Sequence, residues 1–546
     1  MCFFGLHRGF SRLSEKKQIL KSASIITLVT IASRIFGYLR DQRIALLLGT
    51  SPLADAFWLA YSIPNLLRRL VAEGAMTASF IPVFTRYQAD RTPEEIWDFA
   101  NRMFWTLAVT VAALTVLGML FSSQVVHVFT ILDQRPGQWE YAVKLNRIVF
   151  PYIFFIALAA MASAVLNSFH LFGVPAATPI LLNVSIIAFS VGAVWRYFNN
   201  PAEALAVAVL VGGALQFLIQ VPLLVRQGMR FDFGVSLKHP GIRSVGRLML
   251  PAFFGIGVYQ VNFLINRVFI TAKKMPTGSL TSLQYADRVM ELVLGGYAIA
   301  VATAILPMMS HQAAAHDYEA LKKTFAFSLR IVSFITVPAA VGLIILREPI
   351  IEMLFQYGEF RAESTELTAR ALLYYAVGLP AFSAVKLIVP AFYSTQDTRT
   401  PVRVAAYALV LNILLNLLFL SFFFETFGNG GPALATSLAA VMNFFMLFVI
   451  FRQRFGRLGT VQILLSLFKI CVCSALMGAV CYGALQYAGF DAYRSFVARL
   501  AVFVGLILAA TLIYLALAWV LRCEELEEVY GIATRREKEP PFARRA

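Results

Sequence analysis

Charged side chains interrupt the first apolar stretch of the chain, and they are the residues best suited to bind a ligand. Arg34, Arg40 and Asp41 follow directly after the apolar run 25–32. A charge that faces lipid costs roughly 2.5–3.5 kcal/mol on insertion scales. About ten such charges would cost more than the ~5–15 kcal/mol of net stability that proteins usually have. They must therefore line a polar cavity or neutralise one another inside the protein.

Two further charged clusters follow the first. They comprise Asp55, Arg68, Arg69 and Glu73 in the second apolar segment, and Asp287, Arg288 and Glu291 far downstream. Arginines dominate the first two segments, and the guanidinium fork suits bidentate binding of phosphate. A drug or ion antiporter instead usually needs one or two buried carboxylates. The clusters therefore predict an anionic substrate, for which a diphosphate is the obvious candidate.

The alternative interpretation is a fixed ion-pair network. Its pairs would be Arg40–Asp41, Arg69–Glu73 and Arg288–Glu291. In the downstream cluster the helical spacing lets all three side chains share one face. These pairs would then only hold helices together, and both interpretations can apply to one protein.

Composition predicts a polytopic, all-α membrane protein. The chain is 59% hydrophobic and 14% charged, and its mean hydropathy is +0.72, whereas soluble proteins are about 45–50% apolar and about 25% charged. The net charge is +17, and the basic residues lie mostly in short loops between apolar segments. This distribution follows the positive-inside rule of membrane proteins and does not indicate a nucleic-acid partner.

Catalytic and metal-binding motifs are missing from the sequence. It contains no HExxH, P-loop or GxSxG pattern. The 5 cysteines form no CxxC pair, so neither a zinc site nor a disulfide framework is predicted. We expect a transporter that is not an enzyme, with no cofactor and no metal, driven by a gradient, by membrane potential or by its substrate's concentration.

Apolar segments long enough to cross a bilayer recur along the chain, and about fourteen are predicted. They lie near 19–48, 52–85, 97–121, 143–170, 176–198, 202–225, 245–271, 282–311, 322–346, 367–393, 402–424, 431–451, 461–487 and 494–521. Lys and Arg concentrate in alternate connections together with both termini, which predicts that both termini are cytoplasmic.

An internal repeat divides the predicted helices. Arg34-Ile35-Phe36 is similar to Arg267-Val268-Phe269, and Ala54-Asp55 is similar to Ala286-Asp287. Matches in this order predict two parallel six-helix lobes and two additional helices. The predicted domains are a basic cytoplasmic lead-in 1–18, an N-lobe 19–226, a C-lobe 243–454, the last two helices 461–522 and a cytoplasmic tail 523–546.

Helix-breaking residues lie among the charges. Gly37 separates Arg34 from Arg40, which an unbroken helix would point about 120° apart. A kink or unwound turn at Gly37 would let both arginines face one cavity. The alternative is a helix that only bends for packing. Pro64 separates Asp55 from the next arginine in the same way.

Several motifs in register resemble the MurJ (MviN) family of lipid II flippases, within the multidrug/oligosaccharidyl-lipid/polysaccharide exporter superfamily. They are Ser33-Arg34-x-x-Gly37-x-x-Arg40-Asp41, Asp55-Ala56-Phe57, Pro64-Asn65-Leu66-Leu67-Arg68-Arg69-x-x-Ala72-Glu73-Gly74, Tyr285-Ala286-Asp287-Arg288-x-Met290-Glu291, Phe355-Gln356-Tyr357-Gly358 and Phe392-Tyr393-Ser394-x-Gln396-Asp397-x-x-Thr400-Pro401. The resemblance covers roughly residues 20–520.

The resemblance implies fourteen helices in two lobes around a cationic cavity, with a groove for the polyprenyl tail along the last two helices. It places the substrate-binding arginines at Arg34, Arg40, Arg68 and Arg288. The supporting cavity charges would be Asp41, Asp55, Arg69, Glu73, Asp287 and Glu291. Departures are the long lead-in, an arginine at Arg267, and the asparagines Asn412 and Asn416 where a sodium-coupled member would carry an acid.

The function expected from the resemblance is export of lipid II, the undecaprenyl-diphosphate-linked peptidoglycan precursor, across the bacterial inner membrane by alternating access. Such a role serves cell-wall biogenesis and cell shape. Partners would be lipid II, membrane lipids and, as a further candidate class, cell-wall synthesis enzymes. The alternatives are a polysaccharide or drug exporter of the same superfamily, and a non-transporting membrane scaffold for cell-wall enzymes.

Overall fold

Helices form all the regular secondary structure in the described part of the chain. The computed structural model describes residues 28–69, 76–133, 139–295, 299–488 and 495–533. A helix satisfies its own backbone hydrogen bonds, as a segment in hydrocarbon must. In these ranges 9 helices are long and apolar enough to cross a membrane. The predicted all-α, multi-pass membrane fold is confirmed, and the count of about fourteen stays a prediction.

The chain divides into two compact units. Unit 1 comprises residues 1–273 together with Tyr357–Phe360. Its helices are α1 (the described residues 28–48), α2 (Pro52–Leu67), α3 (Thr77–Asp90), α4 (Pro93–Leu120), α5 (Ser122–Phe129), α6 (Glu140–Val149), α7 (Tyr152–Ser168), α8 (Gly173–Phe189), α9 (Gly192–Trp195), α10 (Pro201–Leu218), α11 (Val221–Gln227) and α12 (Pro240–Ile270).

Close packing of α10 on its neighbours forms much of the interior of unit 1. Helix α10 packs against α7 and α8, and its two glycines make this possible. A Cβ atom at Gly212 would lie 2.8 Å from a Leu182 methyl, and one at Gly213 would lie 2.5 Å from the Tyr152 ring. Small residues at such positions let helices approach closely in a membrane.

Unit 2 comprises residues Lys274–Gln356 and Arg361–Ala546. Its helices are α13 (Ser279–Val293), α14 (from Ile299 to Ala314), α15 (Tyr318–Ile345), α16 (Arg347–Phe355), α17 (Ala362–Ser394), α18 (Arg399–Phe422), α19 (Phe424–Phe427), α20 (Gly431–Phe455), α21 (Thr460–Ala488), α22 (Phe496–Val520) and α23 (Glu524–Ala533). A short 3₁₀ turn at Gly428–Gly430 precedes α20.

Helix α17 is central in unit 2, where it packs against α13, α15 and α20. The Ser437 hydroxyl donates to the Tyr374 carbonyl at 2.7 Å, which ties α20 to α17. Helices α21 and α22 pack against each other, and only 11% of the apolar window of α22 is buried. The outer face of this last pair is therefore available to hydrocarbon.

Two charged helices end in a similar way. Helix α2 continues through Pro64 and is followed by wider π-type turns at residues 68–69, and α13 is followed by the same kind of turn at 294–295. Such turns are frequent at functional sites. Helix α1, in contrast, stays helical through Gly37, so the unwound turn considered there is wrong. A Cβ at Gly37 would lie 3.7 Å from the Asn183 amide nitrogen, an ordinary contact.

Several expectations concern residues outside the described ranges. These are the lead-in 1–18, Glu73 with its pairing to Arg69, and the part of the tail beyond 533. The predicted domain limits are not settled by the division into units, and they stay predictions.

Candidate functional site

A buried charged group of unit 1 centres on Arg40. Its guanidinium donates through Nε and Nη2 to Asp41 Oδ1, at 2.8 and 2.6 Å, and through Nη1 to Asn183 Oδ1 at 3.0 Å. The Asn183 amide in turn donates to the Ser33 carbonyl at 3.2 Å. Arg40 is 6% exposed and Asp41 is 2% exposed. This buried pair and its amide tie α1 to α8.

Arg34 lies on a different face of α1 from Arg40. Its side chain is exposed, as are those of Ile31 and Ile35, whereas Arg40 is buried. Because the helix is continuous, the six-residue spacing separates the two arginines as expected for 100° per residue. The structure therefore does not bring Arg34 and Arg40 together.

Arg68 lies at the π-type turn after α2. Its Nε donates to Asn65 Oδ1 at 2.9 Å, and its side chain is half-buried. Arg68 also borders a cavity of about 290 Å³ whose other lining residues include Leu117, Phe121 and Ile153. This guanidinium thus has a polar contact on its own helix and an apolar cavity beside it. Asp55, in the first turn of α2, is 5% exposed.

Arg69 shares an aromatic ring with a second arginine. The Arg69 Cζ lies 6.0 Å from the centre of the Phe263 ring, and the Arg267 Cζ lies 4.7 Å from it. Arg267 is 7% exposed. Cation–π contacts of this kind stabilise a guanidinium that has left water. Arg267, which departs from the family pattern, is therefore a buried part of the charged region of unit 1.

The charged group of unit 2 is more accessible. Arg288 Nη1 donates to Glu291 Oε2 at 3.0 Å, and their side chains are 31% and 47% exposed. Asp287 is half-buried. The structure confirms the pairing that the i, i+3 spacing predicts. An ion pair this exposed contributes only about 0–1 kcal/mol to stability.

Sequence reasoning missed two residues of unit 1 that contact the predicted charges. Asn183 completes the Arg40 pair from 143 positions away, and Phe263 carries two guanidinium contacts. Asn183 could have been recognised as a contact residue because it is an asparagine within an apolar segment, where an amide needs a hydrogen-bond partner. Phe263 could have been recognised from its i, i+4 spacing to Arg267.

Asp397 follows the end of α17 and lies outside the membrane-spanning helices. Its carboxylate accepts from the Thr400 hydroxyl at 2.6 Å, the Thr400 amide at 3.0 Å and Arg454 Nη1 at 2.6 Å. Burial opposes ionisation of this carboxyl, but hydrogen bonds from Thr400 and Arg454 outweigh it and lower its pKa to about 2. Asp397 therefore holds the start of α18 to the end of α20.

The two asparagines of α18 bind each other. Asn416 Nδ2 donates to Asn412 Oδ1 at 3.0 Å and to the Asn412 carbonyl at 2.9 Å, and both side chains are buried.

In the described residues, no group of three or more His, Cys, Asp or Glu side chains could hold a metal ion.

Comparison with known proteins matches nearly the whole chain. The family described as "Lipid II flippase MurJ" matches residues 44–517. A relative from Vibrio cholerae, named as a probable lipid II flippase MurJ, is 38% identical over 447 residues, covering 80% of this chain and 83% of that protein.

One solved structure supports the same assignment, and a second shows a shared fold. A "Lipid II flippase MurJ, inward closed conformation" matches with a TM-score of 0.75 at 26% identity, covering 91% of this chain and 98% of that one. An inward-facing multidrug resistance MATE family transporter of the MOP superfamily matches with a TM-score of 0.64 at 15% identity, over 79% of this chain and 99% of that one, which shows a shared fold. The resemblance found in the sequence motifs is confirmed: this chain belongs to the MurJ lipid II flippase family, whose members are transporters and not enzymes.

Proposed function

We propose that this chain moves lipid II from the cytoplasmic to the periplasmic leaflet of a bacterial inner membrane by alternating access. The observation that carries the proposal is a set of arginines in the apolar, charge-bearing helices α1, α2 and α13, with Arg68 at the break after α2 and Arg288 shortly before the break after α13. Permanently charged groups in hydrocarbon indicate a functional site. A diphosphate is a ligand that such guanidinium forks bind well.

The four proposed substrate-binding arginines have different surroundings, and we assign them different tasks. Arg34 is exposed, whereas Arg68 and Arg288 are half-buried, and these three would contact the diphosphate directly. Arg40 is buried and bonded to Asp41 and Asn183, so it would fix α1 in position and add positive potential. Asp55, Arg69, Glu73 and Asp287 would balance and orient the charge of the cavity.

The polyprenyl tail would lie along the last two helices, within the predicted segment 461–522. The outward face of α22 supports this, with Val497 71% and Leu512 66% exposed. An N-lobe 19–226 and a C-lobe 243–454 would provide the moving parts, and cell-wall synthesis enzymes that make or use lipid II would be partners.

Orientation follows from the distribution of Lys and Arg, with both termini in the cytoplasm. Single cysteines in the connections 122–142 and 347–366 should react with an impermeant reagent added from the periplasm. Cysteines in 226–247 should react only after the membrane is opened. The reverse labelling pattern would contradict the proposed direction of transport.

Replacement of Arg288 by lysine tests the proposed diphosphate contact. The chain would be expressed in a bacterium depleted of its own flippase, and lipid II in the outer leaflet would be measured with an impermeant probe. Arg288→Lys should lower transport because a point charge does not reproduce the guanidinium fork. Arg370→Lys is the matched control, because Arg370 pairs with Glu366 at 3.0 Å and is 42% exposed in the same unit.

Full transport by the Arg288→Lys variant would contradict a bidentate role for Arg288. Continued accumulation of lipid II in the inner leaflet with the wild-type chain present would contradict the proposed function itself. Equal losses in the Arg288 and Arg370 variants would indicate a general effect of arginine replacement.

A further inference from the structure

The connection between α11 and α12 carries exposed apolar side chains next to exposed basic ones. Phe233 is 74% and Leu237 is 71% exposed. The exposed basic residues of this region are Arg226, Arg230, Lys238, Arg243 and Arg247. The nearby acids are Asp232 and Asp98, the latter 3.9 Å from His239 and itself paired with Arg102. A loop freely in water gains nothing from exposing large apolar side chains, whereas this combination is typical of segments that lie in the membrane interface.

The backbone of this loop is fixed, although its side chains are exposed. The indole N–H of Trp105 donates to the Phe231 carbonyl at 3.1 Å, and the Ser236 amide donates to Thr106 Oγ1 at 3.2 Å. The Phe233 ring packs edge-on against Trp105, with 5.1 Å between the ring centres. The orientation of the loop is therefore set by α4.

Backbone strain at Phe231 also indicates that α4 sets the orientation of the loop. Its φ of +57° lies in the left-handed region, which is unfavourable for a bulky residue. The hydrogen bond from Trp105 and an edge contact with Phe104, 5.1 Å between ring centres, hold this conformation. The strained residue turns the chain so that the next exposed aromatic side chain, Phe233, projects outward.

The depth of the loop follows from three neighbouring helices of unit 1. Charge-free runs begin after Arg102 in α4 and after Arg247 in α12, and another ends just before Arg226 in α11. The loop contacts α4 at residues 104–106, directly after the first of these boundaries. The loop therefore lies where these helices change from charged to apolar residues. In a membrane protein this change marks the depth of the lipid headgroups.

We propose that residues 229–247 form a docking surface for anionic phospholipid headgroups. Phe233 and Leu237 would enter the boundary between headgroups and acyl chains. Arg230, Lys238 and Arg243 would bind lipid phosphates. This surface consists of residues other than the arginines assigned to lipid II, and it requires only that unit 1 is in a membrane. Each basic residue near an anionic surface contributes roughly a five-fold increase in affinity.

The test uses the full-length protein purified in a zwitterionic detergent. Phosphatidylglycerol or phosphatidylcholine is added in mixed micelles, and bound lipids are counted by native mass spectrometry while the melting temperature is recorded. The loop variant combines Arg230→Gln, Lys238→Gln and Arg243→Gln. The matched control combines Arg147→Gln, Arg196→Gln and Lys273→Gln, which are exposed, belong to unit 1 and remove the same charges.

Phosphatidylglycerol should bind the wild type and the control variant, and should bind the loop variant at least about 50-fold more weakly. Phe233→Ser with Leu237→Ser should weaken binding of both lipids and leave the preference for phosphatidylglycerol. Undiminished phosphatidylglycerol binding by the loop variant overturns the proposal. Equal stabilisation by inorganic phosphate in phosphatidylcholine micelles would also overturn it, because the surface would then recognise free phosphate and not a lipid.

A second measurement needs only the wild-type protein and tests the proposal even if the loop variant does not fold. Sodium chloride is titrated into the wild-type protein with phosphatidylglycerol present, because salt screens exposed charges beyond a Debye length of roughly 10 Å at 0.1 M. Phosphatidylglycerol binding should fall as the salt concentration rises. Binding that is independent of salt would contradict an electrostatic docking surface.

Discussion

The charged groups around Arg40 and Arg288 look alike in the sequence and differ in the structure. Arg40 is 6% exposed and gives three hydrogen bonds to Asp41 and Asn183. Arg288 is 31% exposed and has an ion pair to Glu291, which is 47% exposed. Pairing with a carboxylate is common to both. Burial therefore distinguishes the two pairs, because the Arg40 pair is shielded from solvent and the Arg288 pair is not.

This difference has an energetic consequence. Removing one partner of a buried pair leaves an uncompensated charge and costs about 3–5 kcal/mol. An exposed pair contributes only about 0–1 kcal/mol. The same substitution should therefore mainly affect folding in one group and ligand binding in the other.

Arg40→Ala should give the largest effect on stability. Asp41 would lose its two hydrogen bonds from the guanidinium while remaining buried, and the protein should lose about 3–5 kcal/mol of stability. Membrane-inserted protein level and melting temperature in detergent measure this loss. Replacing both partners with apolar residues, as in Arg40→Met with Asp41→Leu, should restore much of it. A normal melting temperature for Arg40→Ala would show that the buried pair is not structural.

Arg288→Ala should instead affect the ligand. Loss of one charge-assisted contact costs about 1.5–3 kcal/mol, which is roughly 10- to 150-fold in affinity for the lipid-linked diphosphate. The melting temperature should stay close to that of the wild type, because the pair with Glu291 is exposed. Binding of the lipid precursor and protein level are the measurements.

The double variant Arg288→Ala with Glu291→Ala separates the two interpretations of this pair. A stable double variant that still fails to bind supports a ligand contact. Recovery of transport in the double variant would mean that Arg288 only neutralises Glu291.

The sequence predicts the local part of these groups and not the distant part. The i, i+3 spacing identifies the pair Arg288–Glu291 within one helix. Adjacent residues do not usually face each other on a helix, so the bond between Arg40 and Asp41 was suggested by their opposite charges and not by helical spacing. Asn183 could not be assigned to Arg40, since tertiary packing brings together residues that are 143 positions apart. The unwound turn at Gly37 was wrong because glycine permits such a turn and does not require one.

Asp397 and Arg454 form a pair of intermediate exposure, at 15% and 43%, outside the spans. The pKa of Asp397 is lowered from 3.8 to about 2, which corresponds to roughly 2 kcal/mol of stability. Because the folded protein holds this proton less tightly, the contribution is complete above about pH 4 and disappears as the pH falls through about 2.

The smallest predicted effect concerns the pH dependence of stability. The wild type should lose the contribution of Asp397 at low pH, whereas the Asp397→Asn variant has no such contribution to lose. At pH 6 the variant should melt at a lower temperature than the wild type, because the amide loses the charge-assisted bond from Arg454. The difference should shrink between about pH 4 and pH 2. Arg370→Gln is the control, since its pair with Glu366 is exposed on both sides. A difference that stays constant down to pH 2 would contradict the depressed pKa. The absence of any difference at pH 6 would mean that the hydrogen bond from the Thr400 amide, which the Asn oxygen can still accept, accounts for the role of Asp397.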